Sequence, residues 1–424
     1  MRGLVEMRAV TAAASFGAFV ADAAATGQLV VQPRMGFSDP YRMRDGLQRT
    51  KFAAARTVGT LTIDSYTRLG DHAAVRGALA DGIRLNGYPI VDQPVDVTRA
   101  LLDGVLDETF PVQVRHGSSQ PAPIIRALTA AGLDATEGGP VSYCLPYGRT
   151  PLSESVDNWA RGCELLASLV PSPRVPHLES FGGCMLGQLC PPGLLVAISV
   201  LEALFFVQRG IASVSVSYAQ QTDPVQDEQA VRALRRLAEE FLPRHVDRHV
   251  VLYTYMGLFP RSARGARLLL EASAELAVRA GARRLIVKTA AEAHRIPTIE
   301  ENIRALETAA AAGQDAPLPD DRDAWAEPDG VYAEARAFVE AVLDLGDDLA
   351  RSLPAAFSRG YLDVPYCLHP DNAGRSRSVL GRDGRLRWSA VGAMPVKADP
   401  APCPAMTSAH LLHALGAVAR KFDH

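Results

Sequence analysis

The sequence predicts an α/β fold, a TIM-type (β/α)8 barrel with a short N-terminal helix and an α-rich C-terminal extension. Three observations predict it. Eight apolar, β-branched runs alternate with amphipathic segments between residue 28 and residue 313, the pattern of parallel βαβ units. Several of those runs close on a charged residue at the carboxyl end of the expected strand, where barrels of this kind carry their sites. The 424 residues, 48% hydrophobic and 21% charged, are enough for one large barrel and an appendage.

Residues 1–27 read as an N-terminal helical segment. Arg2 and Arg8 ahead of an alanine-rich stretch imitate a secretory leader, but Glu6 and Asp22 break that pattern. Strands are expected at 28–34, 58–66, 111–115, 140–145, 175–180, 212–218, 249–255 and 283–288. Helices are expected over 45–56, 71–80, 123–131, 153–169, 193–209, 225–241, 262–280 and 299–312, with two further segments, 85–91 and 97–106, ahead of the strand at 111. Residues 28–313 thus form the catalytic barrel. Residues 314–424 form a linker and an extension packing on it: an acidic, proline-containing stretch over 314–330, a helix over 331–349, an irregular segment, and a terminal helix from about residue 407.

The composition excludes several function classes. A formal net charge of −3 and the lack of a basic stripe interleaved with aromatics speak against nucleic acid. The six cysteines include no C-x-x-C pair, so they read as reduced thiols of a cytoplasmic protein, without a zinc framework or disulfide scaffold. No uninterrupted apolar run reaches the roughly 18 residues of a membrane span.

The chemistry gathers around three arginines. Arg34, Arg68 and Arg115 each close an apolar run, and arginine seldom sits there unpartnered. Three such planar forks suit a ligand with more than one carboxylate or phosphate. Glu137 precedes the expected fourth strand; either it neutralises one arginine or it accepts a hydrogen bond from a ligand ammonium. Tyr143 and Tyr147 alternate with apolar residues and need partners for their hydroxyls. His116 is either a carboxylate ligand or a core imidazole. Lys288 and Glu292 are either an ordinary i,i+4 pair or a pair of groups for ribose hydroxyls. Glu179 closes the fifth run and faces the same rim. His410 with His413, and His245 and His249 around Asp247, are weak metal candidates. No zinc-protease, nucleophile-elbow, P-loop or dinucleotide motif is present. The residues alone therefore lead to a pocket for an acidic, amine-bearing ligand and do not lead to a reaction.

A set of ordered anchors goes further. Gln32-Pro33-Arg34-Met35-Gly36, the run from Thr62 to Arg68, Leu85-Asn86-Gly87-Tyr88-Pro89, Arg115-His116-Gly117 and Glu137-Gly138-Gly139 come first. Ser142-Tyr143, Pro146-Tyr147, Met256-Gly257, Val287-Lys288-Thr289 with Glu292, Ile296-Pro297-Thr298 and Asn372-Ala373-Gly374 follow. Together they resemble the large (epsilon) subunit family of adenosylcobalamin-dependent glutamate mutases, also called methylaspartate mutases. The resemblance implies an isomerase that interconverts L-glutamate and (2S,3S)-3-methylaspartate by a radical carbon-skeleton rearrangement. It implies that Arg34, Arg68 and Arg115 grip the substrate carboxylates, with His116, Glu137, Tyr143 and Tyr147 completing the substrate site. Glu137, His116 and Tyr147 carry the catalytic roles. Asn86, Lys288 and Glu292 hold the adenosyl ribose, Met256 and Gly257 form a cobalamin-facing turn, and Gly36 and Glu179 belong to the cofactor side.

The resemblance also implies a partner, a small cobalamin-binding subunit carrying a D-x-H-x-x-G motif, in a heterotetramer of two large and two small chains. That motif is missing here, since Asp71-His72 has the wrong spacing. Two departures stand out. The segment ahead of residue 28 is shorter than the family's, and Leu178-Glu179-Ser180-Phe181-Gly182-Gly183-Cys184-Met185-Leu186-Gly187 replaces its Arg-Glu-Pro-Phe-Gly-Pro-Leu-Thr-Gly. A mutase for a related acidic amino acid, and a catalytically silent binding or regulatory subunit, are the alternatives.

Overall fold

The computed structural model describes residues 15–145, 148–181, 189–317, 330–399 and 407–424. Eight parallel strands form the barrel: β1 (Val30–Pro33), β2 (Gly59–Thr62), β3 (Val112–Arg115), β4 (Ala135–Gly138), β5 (His177–Ser180), β6 (Ser213–Ala219), β7 (Asp247–Tyr253) and β8 (Arg284–Val287). Each pairs with the next from β2 to β8, and β8 returns to β1 with Pro33 opposite Val287. The circuit closes between β1 and β2 through one parallel bridge, Val31 to Thr57.

The helices follow the alternation read from the sequence. They are α1 (Phe16–Ala25), α2 (Pro40–Lys51), α3 (Ser65–Leu69), α4 (His72–Ala80), α5 (Val95–Leu102), α6 (Ala122–Ala130), α7 (Leu152–Leu169), α8 (Pro192–Gln208), α9 (Pro224–Phe241), α10 (Ala263–Ala280) and α11 (Ile299–Asp315). α1 closes the amino-terminal end of the barrel. Ser15 caps it, and Phe16 stacks on His177 of β5 at 4.7 Å while Phe19, Val20 and Ala23 pack with Val30, Val58 and Ala135.

Beyond the barrel come α12 (Gly330–Leu343), α13 (Leu349–Arg359), the hairpin β9 (Arg377–Leu380) with β10 (Leu386–Ala390), and α14 (Ser408–Leu415) with α15 (Ala417–Asp423). α8 explains why this extension docks where it does. Its sequence is apolar all round and its side chains are almost all buried, so a second layer must cover the face turned away from β5 and β6. α12 supplies that layer. His369 and Asp371, ahead of β9, hydrogen bond the Thr150 carbonyl and the Leu152 amide, tying the extension to the segment after β4.

Two strand assignments are corrected. The fourth strand is 135–138, not 140–145. Glu202 of α8 accepts hydrogen bonds from the amides of Val141 and Ser142, folding that stretch into a turn. Glu137 therefore lies on the strand itself. The second run stops at Thr62, because Asp64 accepts from the amides of Tyr66 and Thr67 and starts α3. Arg68 thus reaches the rim from a helical turn.

No helix among the described residues is long and apolar enough to cross a membrane, and none of their His, Cys, Asp and Glu side chains form a group that could hold a metal ion.

Candidate functional site

The barrel interior is polar from end to end, unlike the branched apolar layers usual for this fold. Along β7 and β5 the inward residues alternate, so His249 and His177 stack near the amino-terminal end at 5.2 Å. The middle layer holds Arg284 of β8 and Glu179 of β5, both with no exposed surface, as an ion pair. Arg284 also donates to Gln32 of β1, to the Ser215 hydroxyl at 3.1 Å and to Nε2 of His249 at 3.3 Å. Glu179 is thereby corrected: the sequence put it at the rim, but its carboxylate points into the barrel. Burial works to raise its pKa, yet Arg284, then Arg115, outweigh that and hold it ionised.

Above this layer Arg115 ends β3, with Nη2 2.6 Å from Oε2 of Glu137 on β4. The same Nη2 lies 3.2 Å from the hydroxyl of Tyr253, the last residue of β7, and that hydroxyl donates to Glu179. Rings of Tyr253 and Phe181 flank the guanidinium at 5.0 and 5.5 Å. Nη1 of Arg115 is buried and has no partner among the described residues. Burial opposes the charge of Arg115, but Glu137, backed by Tyr253 and Glu179, holds its pKa above the ordinary arginine value. Burial pushes Glu137 up to about 7 against the pull of Arg115, and Glu179 adds to the rise. Tyr143, in the turn after β4, donates its hydroxyl to the other oxygen of Glu137.

His116 follows Arg115. The Ser118 amide donates to its Nδ1 at 3.2 Å, so that nitrogen carries no hydrogen. Burial, then Arg115, lowers its pKa to about 3. The ring is therefore neutral with its hydrogen on Nε2, and that donor is buried without a partner among the described residues. Trp159 of α7 stacks on it at 5.6 Å and 9°, and Tyr143 meets it edge-on. Gly138 makes room for Trp159: a Cβ there would come within 2.2 Å of the indole, and its φ of +145° suits glycine alone. Arg68 lies against Gly117, where a Cβ would sit 2.7 Å from Cδ of Arg68. Its Nε is buried without a partner, and among the described residues it has no carboxylate.

The other side of the mouth is built on β8 and β1. The Thr289 amide, ahead of the one-turn 3-10 helix Ala290–Ala293, donates to Oε1 of Glu292 at 3.3 Å and holds it. Oε2 of Glu292 takes Nη1 of Arg34 at 2.8 Å and lies 3.7 Å from Nζ of Lys288. Lys288 sits over the Phe259 ring at 4.5 Å, and burial lowers its pKa to about 8, Glu292 opposing and Arg34 adding to the fall. Arg34 is thus bound to the Lys288–Glu292 side and not to Arg115. Asn86 is exposed beyond β2; its Oδ1 accepts from the Ser65 amide at 2.9 Å, which orients its amide nitrogen as a donor for a ligand. Gly36 lies against the Thr62 carbonyl and Gly257 against the Tyr255 hydroxyl, approaches too close for a Cβ, while Met256 packs half-buried on the core.

The structure therefore brings Arg115, His116, Glu137 and Tyr143 into one cluster with Arg68 beside it, and Arg34, Lys288 and Glu292 into a second. Tyr147 and residues 182–188 lie outside the described residues. Tyr253 and Arg284 were missed from the sequence. The available signal was their register: Tyr253 falls two and four residues after Val251 and His249, on the inward face of β7.

Such an arrangement does particular chemistry. The unpartnered donors of Arg115 and His116 can each serve a carboxylate, while Glu137 can accept from an ammonium. That set matches an α-amino acid head group. The second cluster offers a carboxylate and an ammonium, the donor and acceptor set that a vicinal diol needs.

Comparison with known proteins identifies the family. The family model for the methylaspartate mutase E chain (MutE) matches residues 11–402. The glutamate mutase epsilon subunit of Yersinia enterocolitica is 31% identical over 352 residues, 80% of this chain and 72% of that one. Those of Halobacterium salinarum and Desulfitobacterium hafniense are 31% and 29% identical, covering 86% and 90% of this chain and 78% and 81% of theirs. The chain therefore belongs to the methylaspartate mutase E chain family, that of the glutamate mutase epsilon subunits.

Proposed function

We propose that the chain is the substrate-holding large subunit of an adenosylcobalamin-dependent glutamate mutase, rearranging L-glutamate to (2S,3S)-3-methylaspartate and back. One observation carries the reading: among the described residues two donors, Nη1 of Arg115 and Nε2 of His116, are buried without partners in the cluster that Glu137 joins through Arg115 and Tyr143. Arg115 and His116 bind one substrate carboxylate. Glu137, oriented by Tyr143, takes the ammonium. Arg68 and Arg34 serve the second carboxylate, and Arg34 joins the substrate side to the Lys288–Glu292 side.

The second cluster fits the adenosyl ribose, which Glu292, Lys288 and the amide nitrogen of Asn86 would hold. When bound, adenosylcobalamin supplies the homolytically cleavable cobalt–carbon bond that starts radical chemistry. The chain's own part is positioning and exclusion of water. Each charge-assisted hydrogen bond contributes about 1.5–3 kcal/mol, and several together immobilise a small diacid through the rearrangement. A small cobalamin-binding subunit with the D-x-H-x-x-G motif is the expected partner at the carboxyl end of the barrel, in a heterotetramer.

The test is a mixing assay: this chain, a cobalamin-binding small subunit, adenosylcobalamin and L-glutamate, followed by proton NMR. A 3-methylaspartate methyl doublet that appears only with this chain supports the reading. Its absence with a verified small subunit and bound cofactor refutes it.

A further inference from the structure

Tyr253 has no role in the reading above, yet its hydroxyl sits where three charged groups meet. That hydroxyl has a single hydrogen, and two carboxylates lie within its reach: Glu179, very close, and Oε2 of Glu137 at 3.2 Å. Glu179 is the stronger claimant. It has no exposed surface, and Arg284, Gln113 at 3.3 Å and Ser215 at 3.5 Å fix its carboxylate in place. Giving its hydrogen to Glu179 leaves the tyrosyl oxygen as an acceptor facing Nη2 of Arg115.

The consequence is visible in Arg115. A guanidinium touching a carboxylate ordinarily chelates it with two parallel bonds. Here Arg115 holds Glu137 with Nη2 alone, the same nitrogen that Tyr253 accepts from, and Nη1 is buried with no acceptor. An ion pair as deeply buried as Arg284–Glu179 adds little stability over an apolar replacement. Its evident use is to anchor the tyrosine.

We propose that Tyr253 is a positioning residue that keeps Arg115 from closing on Glu137 with both arms, and so reserves Nη1 for the ligand carboxylate, with the Arg284–Glu179 pair as its anchor. This rests on the acidic amino acid reading of the pocket and names the residue that keeps the pocket open.

The experiment is calorimetric titration of the full chain with L-glutamate. Tyr253→Phe should weaken binding roughly 10- to 100-fold, the worth of one charge-assisted hydrogen bond, with an unchanged unfolding midpoint. Glu179→Gln, which removes the anion that claims the hydroxyl hydrogen, should weaken binding in the same direction. In a Glu137→Gln background the carboxylate that Arg115 pairs with is gone, so adding Tyr253→Phe should cost much less there. An unchanged affinity in Tyr253→Phe, or an equal loss in both backgrounds, overturns the proposal. Should the unaltered chain bind neither L-glutamate nor 3-methylaspartate, the functional reading falls. The proposal is then decided by the crystal structure of Tyr253→Phe: Arg115 chelating Glu137 with both arms supports it, and an unmoved Arg115 overturns it.

Discussion

Lowering the pH from 8 to 6 should weaken the binding of L-glutamate about tenfold. Glu137 is the group responsible. Burial first, and Glu179 next, raise its pKa to about 7 although Arg115 pulls the other way. A carboxyl with that pKa is about nine-tenths ionised at pH 8 and about one-tenth at pH 6. Only the ionised form attracts an ammonium, so the apparent Kd scales with the inverse of that fraction, and the ligand's arrival expels the proton from the rest. Within this cluster no other group titrates in the same range, and Lys288 of the other cluster, lowered to about 8, gains charge toward pH 6 and so works in the opposite direction. His116 titrates far lower, Arg115 stays charged, and the groups of glutamate itself do not titrate between pH 6 and 8. Calorimetry at three pH values, in two buffers of different ionisation enthalpy, reads both the affinity and the protons released. The expected release approaches one proton per ligand near pH 6 and falls toward zero at pH 8. A flat affinity with no proton release would show that Glu137 is ionised before the ligand arrives, and the reasoning from burial would be wrong.

Other substitutions probe the surroundings of the site. Arg284→Met leaves Glu179 buried and uncompensated, which should cost about 3–5 kcal/mol in denaturant unfolding, and adding Glu179→Met should recover most of it. Gly138→Ala forces a Cβ into Trp159 at a backbone conformation meant for glycine. A loss of about 2–4 kcal/mol is expected, with L-glutamate binding falling as His116 loses its stacking partner; wild-type stability would contradict the packing described. Glu292→Gln keeps an oxygen acceptor for Arg34 and does not touch Arg115, so L-glutamate affinity should stay within about twofold, while cofactor-dependent turnover with the small subunit should fall. The opposite pattern would mean that the two clusters have exchanged roles.

Most of the barrel was legible because parallel strands buried on both faces read as β-branched runs, as in Val30-Val31 and Leu285-Ile286-Val287. β4 was not. Ala135-Thr136-Glu137-Gly138 has no apolar run, and its burial comes from neighbouring strands and from α1. Its place was given instead to the more hydrophobic turn after it, which Glu202 folds through a contact some 60 residues distant in sequence. The arginine cluster was legible in kind and not in pairing. Sequence placed Arg34, Arg68 and Arg115 alike, whereas pairing with Glu292 draws Arg34 to the other side of the mouth. Glu179 misled for a related reason. A charge at the end of a strand reads as a rim group unless its partner is known, and Arg284, at the far end of β8, reads as the flank of a strand and not as its interior. Tyr253 sat in an apolar run and passed for core.

The closure between β1 and β2 has a consequence for the mouth. The amide of Val31 bonds the Arg56 carbonyl at one end of this seam, and the amide of Thr62 bonds the Met35 carbonyl at the other, each at 2.9 Å. Between them the span is made by a side chain, Gln32 donating to the Thr60 hydroxyl at 3.0 Å. Arg34 stands on one lip of this seam, and Arg68 on the other. The gape of the jaw is therefore governed by a compliant amide–hydroxyl strut and not by a rigid ladder of backbone bonds. A linear diacid and its branched isomer differ in the separation of their carboxylates. On the function proposed above, a jaw sprung at this seam would hold both without remaking the barrel.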